Sequence, residues 1–153
     1  MFLKRLSNKV SAPFQLFYWR IATPETEGAK VLIEHEGRYL LLREKYGQKY
    51  WTLPGGRAKG DEPSEATARR KTKQEVGITL GEIISIGSYF HTRQGKKDVV
   101  STYYGHVPTN AYRIDKNSVA EADWFTVEEI DVLDRSASVD DVLELYTKYR
   151  LEK

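Results

Sequence analysis

The segment PGGRAKGDEPSEATARRKTKQEVGI, Pro54 to Ile78, constrains this chain more than any other. A proline ends an extended piece, because it has no N–H to give to a ladder, and two glycines follow it. After a charged loop, Ser64 to Glu75 is rich in Ala, Arg, Lys, Glu and Gln. These are good helix formers, with Pro63 near the start, where proline is tolerated, and Gly77 just past the end. The spacing predicts a glycine bend feeding one helix that stops sharply. On a helix, residues three and four apart share a face, so Lys71, Gln74 and Glu75 become neighbours.

Around that helix the chain reads as strands. AKVLIEHEGRYLLLREK is a hairpin, Val31 to Glu34 and Tyr39 to Arg43, turning at Glu36-Gly37. WTLP is a short extended piece, and EIISIGSYFHT and VVSTYYGHV form a second hairpin through RQGKK. ADWFTVEEI reads as a strand running into a short helix. The last helix is expected from Ser138, with Asp141 three residues on in a capping arrangement. Val139, Val142, Leu143, Tyr146 and Tyr149 then fall on one face, and Asp140-Asp141 offsets the helix dipole. This order implies an α/β (α+β) fold, a mixed sheet covered by helices.

Thr23 to Gly28 reads as a turn-rich hinge, which makes residues 1–27 an N-terminal arm packing on a single domain, 28–153. The arm's apolar run, APFQLFYW, is far short of the roughly twenty residues that span a bilayer. No small-residue cleavage site follows it. Packing of its aromatics onto the domain is the plain reading, and peripheral membrane contact is the alternative. A transmembrane segment is not expected elsewhere.

Composition narrows the function classes. With 40% hydrophobic and 30% charged residues, the chain has the profile of a soluble globular domain. It has no cysteine, which excludes disulfides and thiolate catalysis and is compatible with a cytoplasmic location. Its three histidines are not paired at zinc-ligand spacing. A net charge of +2, with both signs interspersed, gives no extended nucleic-acid surface.

Cleaving a pyrophosphate linkage needs divalent cations to neutralise the phosphates and water aimed at phosphorus. Magnesium wants oxygen ligands, which a helix face and a nearby glycine-bend carbonyl can supply. The segment resembles the Nudix box, G-x5-E-x7-R-E-U-x-E-E-x-G-U, where U is bulky and apolar. Gly56, Glu62, Arg70, Glu75, Gly77 and Ile78 match in register over 23 residues. YLLLREKYGQKYWTLPGG resembles the family's strand–loop–strand entry, and AEADWFTVEEI its late strand and helix. The resemblance therefore covers Gly28 to Leu133. It implies a Nudix-like (MutT-like) α/β/α sandwich and a metal-dependent hydrolase of a nucleoside diphosphate linked to another moiety.

By that resemblance Glu75 and Glu62 are the catalytic carboxylates, with Arg70 orienting them. Magnesium or manganese would be held by Glu75, Glu62, the Gly55 carbonyl and Gln74. Arg43, Trp51, Arg57, Lys71 and His91 are candidate substrate contacts. Tyr50, Tyr89 and Tyr104 are stacking or packing aromatics. Asp98 and Glu121 are candidate replacement ligands. His91, Arg93, Lys96 and Lys97 form either a solvated loop or the rim of an anion site.

Departures from the pattern fall on the chemistry. Lys71 and Gln74 stand where the family has glutamates, Thr72 replaces a large apolar residue, and Ser118 falls where many relatives have another glutamate. Two lost carboxylates and one gained ammonium shift the local charge by about three units, each worth roughly 4 kcal/mol against a unit charge at about 4 Å and an effective dielectric near 20. Weak metal binding is expected, without loss of phosphate binding, since Lys71 can itself contact a phosphate. Two readings stand: a hydrolase of weak activity, or a degenerate domain that binds a nucleotide-type ligand or a protein partner. A homodimer through the N-terminal aromatics or the last helix is left open.

Overall fold

A computed structural model describes residues 25–47, 49–93 and 95–153. Seven strands form one mixed sheet: β1 (Glu25–His35), β2 (Arg38–Glu44), β3 (Trp51–Thr52), β4 (Gly55–Arg57), β5 (Ile84–Arg93), β6 (Lys96–His106) and β7 (Val119–Phe125). Among the described residues three helices accompany it: α1 (Ser64–Val76), α2 (Val127–Asp131) and α3 (Ala137–Leu151). The main strand path runs β3-β2-β1-β6-β5, with β4 pairing β1 and β7 pairing β2. β1 runs parallel to β6 and antiparallel to β2 and β4.

Alternation along the two apolar strands builds a core on each face of the sheet. Val31, Ile33, Leu40 and Leu42 face one core, completed by Ala68 and Val76 of α1. Leu32, Tyr39 and Leu41 face the other, completed by Ile130 of α2 and Val139, Val142 and Tyr146 of α3. A period of two therefore puts successive side chains in opposite layers, and burial on both faces explains the continuous VLI and LLL runs. The expected α/β/α sandwich is the observed fold.

Several boundaries differ from the sequence reading, two of them with a clear cause. Residues 25–28, read as hinge, are strand, because Glu25 to Gly28 pair in parallel with Lys97 to Val100. The last helix is capped by Ser136, not started at Ser138, and Ser136 makes no side-chain cap hydrogen bond. Its Oγ lies 3.1 Å from Thr52 Oγ1 and 2.7 Å from Ser138 Oγ. Residues 1–24, most of the expected N-terminal arm, lie outside the described residues.

Thr72 carries a further consequence of the departed box. It is fully buried, and its Oγ1 has no hydrogen-bond partner. A buried, unsatisfied hydroxyl is a net cost, and valine has the same shape without it. Thr72→Val is expected to stabilise the fold by about 1 kcal/mol, a rise of about 3 °C in the thermal midpoint.

Candidate functional site

The site begins with backbone. Gly55 sits opposite Lys30 in the β1–β4 ladder with φ +147, a conformation that L side chains rarely adopt. Its N–H donates to Glu75 Oε1 at 2.9 Å, joining bend to helix across twenty residues of sequence. Glu75 is 9% exposed. Burial pushes its carboxyl above the usual range, while the Gly55 N–H, Lys30 and Lys71 pull the other way. The helix ends as expected, with Gly77 left-handed at the C-cap and its N–H on the Lys73 carbonyl.

Two lysines flank this carboxylate. Lys71 Nζ lies 3.9 Å from Glu75 Oε2, and its stem crosses the bend so closely that a Cβ on Gly56 would meet Lys71 Cε at 2.6 Å. Lys30, on β1, donates from Nζ to the Leu53 carbonyl at 3.0 Å. Burial lowers its pKa, opposed by the charges of Glu75 and Glu44. Sequence reading missed Lys30 and Glu44. The signal for Lys30 was present: it sits two positions before Leu32, at an inward-facing place in the strand alternation. Nothing local marks Glu44, which is brought near by the path of β2.

Glu62 and Arg70 form a brace. Arg70 Nε and Nη2 donate to the two Glu62 carboxylate oxygens, each at 2.9 Å, and Nη2 also reaches the Arg57 carbonyl at 3.0 Å. Glu62 Oε1 also accepts from Thr67 Oγ1 and the Lys59 N–H. This bidentate pair ties the charged loop to α1. Its bonds to Arg70 and Thr67 hold the Glu62 carboxyl down at about 2, against an ordinary 4.5. A depressed folded pKa means stability that is present above pH 4.5 and lost as pH falls toward 2. Urea midpoints should therefore fall between pH 6 and pH 3, and Glu62→Gln should flatten that part of the slope.

A cleft of about 960 Å³ opens at the bend, lined by Gly55, Gly56 and Arg57 with Lys30, Tyr50 and Tyr89. His91 and Asp98 line it too, and so do Glu44, Arg135 and Asp141. The sequence reading gives Asp141 a capping and dipole-compensating place at the helix start. Other candidates lie elsewhere. Arg43 bonds Glu121 at 2.8 Å and sits over Trp51, which packs edge-on against Phe125. Tyr104 stacks on Tyr146 and bonds Glu34, beneath α3. Lys97 is buried, its Nζ over Phe90, while Lys96 is exposed. Ser118 bonds Asp115, and the Arg93 side chain lies outside the described residues.

A family model described as NUDIX domain matches residues 26–146, most of the chain. This chain belongs to the NUDIX family. A Bacillus subtilis (strain 168) protein named "Putative 8-oxo-dGTP diphosphatase" is 28% identical over 99 residues, 65% of this chain and 65% of that relative. The MutT NUDIX hydrolase from Burkholderia pseudomallei superposes with a TM-score of 0.73 at 24% identity, over 80% of this chain and 98% of that one. The NUDIX domain of Shewanella oneidensis NrtR, solved with ADP ribose, gives 0.66 at 21% identity, over 86% and 88%. These two structural likenesses concern the fold.

The NUDIX box of this chain does not fit the divalent cation that its family implies. Magnesium wants several oxygen donors, carboxylates foremost. Of the expected donors, Glu62 is engaged with Arg70 through both oxygens, and Gln74 Oε1 accepts from Arg70 at 3.4 Å. Glu75 has the Gly55 N–H on one oxygen and Lys71 facing the other. Among the described residues, no group of three or more His, Asp or Glu side chains is placed to hold a metal. The charge beside Glu75 comes from ammonium groups.

Proposed function

We propose that this NUDIX protein takes a nucleoside diphosphate linked to a second moiety, that binding is its principal action, and that pyrophosphate hydrolysis is weak. The carrying observation is the cleft itself: the glycine bend, Lys30, Arg57, Tyr50 and Tyr89 all line it. Lys30 and Arg57 can meet phosphates among the acidic side chains that also line the cleft, and aromatic faces suit a base. The names of the MutT-like relatives and the ADP ribose bound in the NrtR structure support the same ligand class.

A second reading, an ordinary metal-dependent hydrolase, is favoured by one observation: Glu75 keeps its seat on the Gly55 N–H. One assay separates the two. The purified protein is incubated with ADP ribose, other nucleoside diphosphate derivatives and dinucleoside polyphosphates, with magnesium or manganese, and phosphate-containing products are followed. Binding with little turnover is expected. Rapid turnover abolished by Glu75→Gln would establish the hydrolase instead, and absence of both binding and turnover would overturn both readings.

A further inference from the structure

We propose that Lys30 and Lys71 form a phosphate-binding pair around the glycine bend, so that this site takes a pyrophosphate group directly, without a divalent cation. The inference rests on the nucleotide-ligand reading above and specifies how the phosphates are held.

Three observations carry it. Lys30 lines the cleft and lies across the ladder from Gly55, while the stem of Lys71 crosses Gly56, which also lines the cleft. Two lysine side chains thus flank one short stretch of glycine backbone. Neither ammonium is saturated. Lys30 donates to one acceptor, the Leu53 carbonyl, and carries three N–H donors. Lys71 has a long 3.9 Å contact to Glu75, from a side chain 27% exposed. An ion pair that long and that open to water is weak, so an incoming phosphate can take over the ammonium.

The carboxylates complete the logic. A cation between carboxylate and phosphate bridges two negative groups. An ammonium held by Glu75 plays the same bridging part from within the chain, with its position set by a covalent stem. Glu44 also lines the cleft, and its charge acts on both Lys30 and Glu75. Magnesium would have to compete with ammonium groups already in place.

Calorimetric titration of the full chain tests this with two probes, inorganic pyrophosphate and ADP ribose, each in EDTA and in magnesium chloride. Wild type is expected to bind both probes in EDTA, with magnesium changing affinity less than about threefold. Lys71→Gln should weaken pyrophosphate binding in EDTA about tenfold, the loss of one charge-assisted hydrogen bond, and Lys71→Arg should restore most of it. Thermal melts of each variant establish that it is folded before titration. If wild type binds ADP ribose only with magnesium, the lysine pair is overturned while the ligand class stands. Unchanged pyrophosphate affinity in folded Lys71→Gln overturns it as well. Failure of both probes to bind in either buffer overturns the ligand reading itself.

Discussion

The double substitution Lys71→Glu with Gln74→Glu is expected to raise magnesium affinity at least tenfold and to start or accelerate pyrophosphate hydrolysis. Lys71 Nζ stands 3.9 Å from Glu75 Oε2, so removing it frees that oxygen. At about 4 Å and an effective dielectric near 20, a unit pair interacts by roughly 4 kcal/mol. With solvent screening, about a third of that remains, and roughly 1.4 kcal/mol is already tenfold in affinity. The signature has a sign change that activity alone would not give. Without metal, three neighbouring glutamates repel one another and the variant should melt below wild type. With magnesium it should melt above it. Melting curves in EDTA and in magnesium chloride check this directly, and a variant indifferent to metal in both melting and turnover would show that the box helix does not face the reacting phosphates.

Gly55→Ala is expected to destabilise the protein by about 4 kcal/mol or more, a size that needs a named structural cause. The cause here is backbone on backbone. A Cβ at Gly55 would lie 2.1 Å from the Ala29 carbonyl oxygen and 2.9 Å from Lys30 Cα, at φ +147. Relief requires β4 to leave β1, which also withdraws the N–H that seats Glu75. Gly56→Ala is the informative contrast, because the atoms nearest its new Cβ all belong to the Lys71 side chain. That change should cost little in urea denaturation yet weaken pyrophosphate binding by displacing the lysine stem.

What could be read from the sequence was whatever is local. The glycine bend, the box helix and its stop at Gly77 follow from propensity and cap chemistry, and both hairpins follow from alternation and turn residues. Glu75 beside the bend was legible for the same reason. The illegible part is non-local. Residues 25–28 carry no strand signature, and become strand because Lys97 to Val100 lie beside them. Lys30 and Glu44 gain a role only when β1, β2 and the bend meet. Arg43 and Trp51 looked available for a ligand, and instead face each other, Glu121 and Phe125.

The parallel pairing of β1 with β6 has an effect on how the protein is made. Contacts such as Thr26 with Asp98 join positions 72 apart, and ten successive residues of β1 have partners in β6. A ribosome delivers the apolar run Val31-Leu32-Ile33 long before its neighbour exists. Until β6 emerges, that strand has the β2 hairpin, β4 and α1 to shelter it, and the edge that β6 will take stays open to pairing with another nascent chain. Yield during expression should therefore be most sensitive to changes that delay the β5–β6 hairpin.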